Sequence, residues 1–448
     1  MTDRLKQYFN VRRSELFSVV LAGLFFFCVL TALMLLRPAR EALGLEGGIE
    51  AVRWLFVGTA FITLLVNPLF GLLVSRLPRL YFISATYTFF GFSLVGFYFL
   101  MVATPGVIGV TTGQVFYVWF SVFNLFVTMV FWALMADRFS LEQGKRLFGI
   151  IAVGGTCGAI FGPWLASLLA EPFGTPALLL VSTAFLGLAL GCAWALALQQ
   201  PEKPEPGTES DPDAPPPVDE NAIIGGSAWA GFKAVFQSRY LMGIAAYAVI
   251  LAIMATFLYF TRLQMVAELG DDMDYRTTVF AQIDVITQVA TLIMQAFIAG
   301  HLMRRLGVHI TLMLLPITAA LGFLGLALVA SLAALIVFEA SFRAVQRAIQ
   351  RPARETLYTV ISREDKYKSK AFIDTFVYRG GDVVGAQVEG LLGRLGMGLA
   401  GVASVAVPLA LVWAGLALWL GRTQQRLAGP GPVPEQSAAE ARAAAARH

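Results

Sequence analysis

Apolar positions in this chain come in runs far longer than a globular core requires. Leu16–Leu36 holds no charged residue, and neither does the whole stretch from Leu80 to Ala136. About 20 apolar residues, rising 1.5 Å each, cross a ~30 Å hydrocarbon layer, so runs of this kind predict bilayer-spanning helices. Taken in order, Leu16–Leu36 is the first span and Trp54–Ser75 the second. Pro105-Gly106 breaks the long uncharged stretch into the third and fourth. Leu147–Ala170 and Phe173–Gln200 are the fifth and sixth, Tyr240–Thr261 and Thr277–Gly300 the seventh and eighth. Residues 310–350 as one helix would be about 61 Å long. That is twice the hydrocarbon depth, so the chain must fold back, near Ser331, into the ninth and tenth spans. Residues 371–392 and 395–421 complete twelve.

Between the sixth and seventh spans lies PEKPEPGTESDPDAPPPVDEN, residues 201–221, with seven prolines and seven acidic residues. Such a segment cannot bury enough apolar surface to offset its ordering entropy, and it predicts a solvated linker. Ser227–Ser238 carries Trp229, Phe232 and Phe236 at helical spacing, the pattern of a short helix lying on a membrane surface. The second apolar block echoes the first. GLLVSRL (71–77) matches GHLMRRL (300–306), Ser140-Leu-Glu142 matches Ser362-Arg-Glu364, and GGTCGA (154–159) matches GGDVVGA (380–386). Matches in register and in order predict one six-span unit doubled. The expected organisation is an N-terminal six-helix bundle (1–200), a cytoplasmic linker (201–226), a C-terminal six-helix bundle (227–421) and a disordered tail (422–448). The fold class is all-α: a polytopic membrane protein of twelve transmembrane helices in two bundles, the plan of two-domain secondary transporters.

Composition agrees: 57% of the 448 residues are hydrophobic and only 14% charged, which excludes a soluble globule. With twelve spans both termini share a side. The great majority of the 33 Lys and Arg residues then fall on that side, which is therefore expected to be cytoplasmic in a bacterial inner membrane. A secretory leader shares the basic start, but its apolar region runs only 7–15 residues, so the first span is expected to be retained. Cys28, Cys157 and Cys192 lie inside apolar runs, and His301, His309 and His448 lack ligand spacing. Neither a disulfide framework nor a metal site is expected. The GxxxxGK[ST] phosphate loop is missing, which argues against an ATP-driven pump. No cofactor, no nucleic-acid partner and no enzymatic constellation is expected; the sequence leaves the oligomeric state in the lipid bilayer open, a monomer being favoured.

Charges inside the spans carry the functional signal, because each costs about 2.5–3.5 kcal/mol at the bilayer centre. Glu339, Arg343 and Arg347 step by four along the tenth span and continue to Arg351 and Arg354. The eighth span presents Asp284, Gln288, Thr291 and Gln295. The eleventh presents Asp374, Tyr378, Asp382 and Glu389, with Arg379 beside them. In the fourth, Tyr117, Ser121, Asn124 and Thr128 form a lighter seam, and Arg37, Arg40 and Glu41 close the first. Two readings compete. The charges pair as struts between helices, Glu339 with Arg343 and Arg379 with Asp374 or Asp382; or they line a watery cavity. Arg351, Arg354, Lys366, Lys368 and Lys370 read as a solvated cytoplasmic face.

Three stretches, LMLLRPAREALG (33–44), FWALMADRFSLEQGKRLFG (131–149) and RPARETLYTVISREDKYKSKAFIDTFVYRGGD (351–382), carry a family likeness. In them the chain resembles the ATP/ADP translocases, the nucleotide exchangers among the major-facilitator-like transporters. The likeness rests on Arg37, Arg40 and Glu41, on Phe131-Trp132, and on Pro352, Arg354, Glu355, Tyr358, Lys368, Lys370 and Asp374. It implies the major facilitator fold and alternating access around a central anion site. It departs where that family places charges, at Phe120 or Ser121, Tyr259 and Asp382, so strict ATP-for-ADP exchange does not carry over. The combined expectation is a secondary transporter of a nucleotide-like or other anionic solute. Arg37, Arg40, Asn124, Arg343, Arg347 and Arg379 would bind it, because arginine meets phosphate bidentately and keeps its charge. The alternative is a proton-coupled carrier of a neutral or cationic solute, using Asp284, Glu339, Asp382 and Glu389 as relays.

Overall fold

A computed structural model describes residues 15–76, 79–104, 106–199 and 228–428. These residues are helical with no strand among them, and they turn back wherever the sequence supplies a break. The first half is α1 (Leu16–Leu45), α2 (Gly48–Arg76), α3 (Arg79–Ala103), α4 (Val107–Arg138), α5 (Leu141–Phe173) and α6 (Ala177–Leu198). The second opens with a ten-residue helix, Ala228–Gln237, followed by α7 (Arg239–Ala267). Helix α8 starts at Met273 and runs through a π-helical turn, Met294–Ile298, up to Gly307. There a positive φ of 69° breaks the helix, and α9 (Gly307–Leu328) begins. Helix α10 joins Leu332–Val345, Gln346–Gln350, Arg351–Thr356 and Leu357–Val360. Helix α11 joins Arg363–Phe372, Ile373–Val377 and Tyr378–Arg394, and α12 is Gly398–Leu427.

Ten of these helices are long and apolar enough to cross a membrane. The other two, α10 and α11, are interrupted by π-helical turns and carry most of the intramembrane charge. The fold-back near Ser331 holds, with the Ser331 hydroxyl capping α10 through the Ala334 N–H at 3.2 Å. Several boundaries differ from expectation: α2 begins at Gly48 rather than Trp54, α7 runs to Ala267 rather than Thr261, and α11 begins at Arg363 rather than 371. Helix α1 continues through Pro38 to Leu45, since a proline interrupts only one ladder bond when the next turns stay packed. Phe173 ends α5 rather than starting α6. Residues 422–427, expected to be disordered, complete the last turns of α12. The linker 201–221 and the chain beyond 428 lie outside the described residues.

Two of the repeat signatures have physical explanations. Ser140 and Ser362 are N-caps, accepting from the Gln143 N–H (3.3 Å) and the Asp365 N–H (3.1 Å) at the starts of α5 and α11. The glycine-rich stretches let backbones touch. Gly154 and Gly158 of α5 face the Gly23 and Phe27 carbonyl oxygens of α1, and one turn past the signature a Cβ on Gly162 would stand 2.8 Å from the Thr31 carbonyl oxygen. One on Gly381 of α11 would stand 2.9 Å from the Val249 carbonyl oxygen of α7. Each half has its own apolar core, and a third, with Val52, Tyr117, Phe260, Phe280 and Ile283, lies between them. The halves meet where α8 packs on α1 and α5, and α11 on α2. Exchanging the halves, by adding six to α5 and taking six from α8, converts the α5–α8 contact into the α11–α2 contact. Large side chains such as Phe92, Phe297 and Leu411 point outward, as lipid-facing residues do.

Close helix approach in lipid depends on small residues, which yields a direct test. Gly162→Leu should cost about 1–3 kcal/mol and lower the melting temperature of the purified protein. Gly187→Leu, where a side chain meets nothing within 4 Å, should leave it unchanged. Equal melting for both variants would contradict the packing described.

Candidate functional site

A helix bearing a charge every fourth residue drifts, because four residues at 3.6 per turn overshoot a full turn by about 40°. Helix α10 corrects this drift. Its Gln346–Gln350 turn is π-helical, and a wider turn winds less per residue, so Arg343, Arg347 and Arg351 keep to one side. Helix α11 widens likewise at Ile373–Val377, the turn that carries Asp374. Between the two wide turns lies a cavity of about 470 Å³, within the range of small-molecule sites. Helix α10 lines it with Arg343, Gln346, Arg347, Gln350, Arg351 and Arg354. Helix α11 adds Asp374, Tyr378 and Arg379, and α7 adds Leu251. The cavity runs from Arg343 and Arg379 toward the end of the bundle where α7 begins, there joined to α10 by the Tyr240 hydroxyl donating to the Leu357 carbonyl oxygen; this end is termed the linker side.

Five guanidinium groups share this wall with one carboxylate. That carboxylate, Asp374, pairs with Arg354 at 3.1 Å. Arg379 pairs with Asp382 at 3.2 Å, and Asp382 also accepts from the Thr256 hydroxyl at 3.4 Å. Arg343 comes no nearer than 3.8 Å to Glu339 and donates to the Gln346 side-chain oxygen at 3.3 Å. Arg347 donates to Gln288, a neutral acceptor. Neither Arg347 nor Arg351 has a carboxylate partner among the described residues.

Beyond the cavity, toward the opposite end, every charge named here is paired. Arg262 of α7 lies between Asp284 (3.0 Å) and Glu339 (3.1 Å), donates to the Phe280 carbonyl oxygen, and covers the Phe280 ring at 4.9 Å. Asp284 also faces Arg37 Nε of the first half at 3.7 Å. Arg37 stands within electrostatic reach of Arg343 and Arg347, so three like charges gather where the halves meet. Farther out, Tyr259 donates to Glu41 and shares a hydrogen bond with Tyr117, both at 2.6 Å. Arg40 pairs with Glu41 at 3.2 Å and stacks 3.8 Å over the Tyr117 ring. Arg53 pairs with Glu389 at 2.7 Å and also with Glu50, and Glu389 accepts from Gln264. At the far turn the Thr175 N–H donates to Asp274 at 2.6 Å, and the Thr175 and Thr277 hydroxyls meet at 2.9 Å.

Sequence expectations divide accordingly. Arg343, Arg347 and Arg379 line the cavity, and Arg37 approaches it through Asp284. Arg40 does not, being held by Glu41 and Tyr117, and Asn124 is exposed on α4 away from the lining set. Asp284 and Asp382 were expected on the cavity wall. They are buried outside the lining set instead, as is Glu339, while Glu389 is buried toward the opposite end, each in an ion pair. Arg354 is likewise no solvated surface residue: it is 9% exposed and paired. Arg262 and Arg53 escaped the sequence reading because they fall just outside the expected spans. For Arg262 a signal existed, since Leu263, Met265, Val266 and Ala267 continue the apolar pattern past it.

The sequence model of the Major Facilitator Superfamily matches residues 7–346. No curated protein sequence matches the chain. Three solved structures share its fold. The nucleoside transporter NupG superposes with a TM-score of 0.60 at 12% identity, over 92% of this chain and 99% of that one. A bacterial homolog of the human lysosomal transporter Spinster, inward-facing and unoccupied, gives 0.56 at 13% over 93% and 99%. The POT family transporter PepTSo gives 0.59 at 13% over 92% and 97%. At these identities the likeness establishes the fold alone, and it lends no support to the narrower ATP/ADP translocase resemblance.

Breaking a buried ion pair from one side typically costs about 3–5 kcal/mol, because it strands a charge. Arg262→Met should therefore lower the melting temperature sharply. Adding Asp284→Asn and Glu339→Gln to it should restore much of the loss. A single variant as stable as the parent would show that Arg262 is not the cation holding these two carboxylates.

Proposed function

This chain belongs to the Major Facilitator Superfamily, and we propose that its solute is an organic anion, bearing phosphate or carboxylate groups, carried by alternating access. The observation that supports this is the cavity wall, where five arginines face one carboxylate. Guanidinium groups stay charged and donate in a planar fork that suits both anion types. Neutral or cationic cargo would leave that excess charge uncompensated.

The same arrangement supplies a mechanism. Arg37 belongs to the first half and Arg343 and Arg347 to the second, and they repel, an effect that Asp284 and Glu339 beside them offset only in part. An anion between them removes the repulsion and favours the state in which the halves close over it. A ligand shifts a conformational equilibrium only by such differential contact. Release follows when the paired charges at the opposite end separate: Arg53 from Glu389, Tyr259 from Glu41, Thr175 from Asp274. With both termini on the cytoplasmic side of a bacterial inner membrane, the described state is inward-open.

Exchange of one anion for another fits the site better than proton coupling. Each candidate relay, Asp284, Glu339, Asp382 and Glu389, already has an arginine partner. Nucleotides are anions of the proposed class, but only the translocase resemblance singles them out. Strict ATP-for-ADP exchange is not part of this reading, since Phe120, Ser121, Tyr259 and Asp382 occupy positions charged differently in that family.

Counterflow in liposomes tests the proposal. Uptake of a labelled organic anion should require an anion inside the vesicle. Arg347→Ala should weaken it by about 2 kcal/mol or more, roughly 30-fold in apparent affinity, while Asp382→Asn has a smaller effect. Uptake into empty vesicles driven by a pH gradient alone, and surviving Arg347→Ala, would overturn it.

A further inference from the structure

The cavity wall also bears on how large and how hydrophobic the solute is. Small-molecule sites are mostly apolar, with a few polar groups for orientation. Here the proportion is inverted: Leu251 is the sole aliphatic lining residue and Tyr378 the sole aromatic. A nucleobase draws its affinity from stacking on aromatic faces. Among the first-half rings, Phe26 stacks on Phe131 at 4.1 Å and Trp119 on Phe123 at 5.1 Å, and no first-half ring is among the lining residues. Tyr117 and Tyr259 are held by their mutual hydrogen bond.

Charge gives the second constraint. Of the five cavity arginines, Arg354 and Arg379 are neutralised by Asp374 and Asp382. Arg347 and Arg351 are not, and Glu339, the carboxylate nearest Arg343, is already claimed by Arg262. The uncompensated charge is therefore at least two. Arg347 and Arg351 stand one turn apart on one face, which places their Cβ atoms about 5–6 Å from each other. One doubly charged group, or two anionic groups a few bonds apart, would meet both.

Resting on the anion reading above, we infer that the solute is a compact, strongly hydrophilic dianion without a nucleobase. It is a phosphate monoester of a small polyol, or a short dicarboxylate. The two charges satisfy Arg347 and Arg351, and Gln346 and Gln350 on the same wall offer hydrogen bonds to hydroxyl or carboxyl groups.

Thermal-shift titrations of the purified full chain at fixed ionic strength test this, with glucose 6-phosphate, succinate, AMP and adenosine as probes. Glucose 6-phosphate, succinate or both should raise the melting temperature, and whichever acts assigns phosphate or carboxylate. AMP should need at least as high a concentration as the better of these, and adenosine should do nothing. Arg351→Gln, at an exposed position that folding does not depend on, should raise the half-saturating concentration about tenfold, as should Arg347→Gln. Stabilisation by adenosine, or AMP acting at a tenfold lower concentration than either compact dianion, would overturn the inference while leaving the anion reading intact. Silence from all three anions would overturn both.

Discussion

A guanidinium group in a membrane protein must be matched by something, because neither lipid nor an apolar core can hold its charge. In this molecule that requirement is met in two different ways along one axis. At the end away from the linker, protein carboxylates do it: Arg262 has two, Arg53 has Glu389, Arg40 has Glu41. Toward the linker end the supply runs short, and Arg347 and Arg351 face open volume. The transition falls at Arg37, Asp284 and Glu339, where a first-half arginine meets the charge network of the second.

The division explains why one end of the bundle is shut and the other hollow. Contacts joining Glu41 to Tyr259, Arg53 to Glu389 and Thr175 to Asp274 all cross between the halves, and they stand beside an apolar core that also crosses. Where the arginines of α10 gather, first-half Arg37 meets Arg343 and Arg347 with one carboxylate, Asp284, set against it, and closing that end without an anion would compress the excess positive charge. The fold thus carries an electrostatic bias toward the described state, and a solute of the right charge relieves it. The glycine-lined contacts of α1 with α5 and α7 with α11 keep each half rigid enough for that bias to act between halves rather than dissipate within them.

Most of the architecture was legible in the sequence because spans are long and turn residues are local. The runs from Leu16 and Leu80, the Pro105-Gly106 break and the fold-back near Ser331 each state their role within a few positions. The stripe on α10 was legible too, since charge at a spacing of four has few meanings inside a membrane. Partners were not. Whether Asp284 meets solvent or Arg262 depends on how α7 and α8 pack, and sequence spacing carries no information across helices. The π-helical turns that align Arg343, Arg347 and Arg351 leave no mark in residue pattern. Arg40 and Asn124 lie outside the lining set for the same reason: a charge or amide in a span can end against a tyrosine or an open surface as readily as on a cavity wall.

The central claim is that a positively charged, water-filled cavity opens on the linker side. Charge-selective thiol labelling tests it most directly. In a chain whose Cys28, Cys157 and Cys192 are replaced, a cysteine at Gln346 should react from the linker side with small thiosulfonate reagents. The anionic reagent should react about tenfold or more faster than its cationic counterpart, because a cleft of one sign concentrates counter-ions. Labelling that fails from that side, or that proceeds faster with the cationic reagent, would contradict the account.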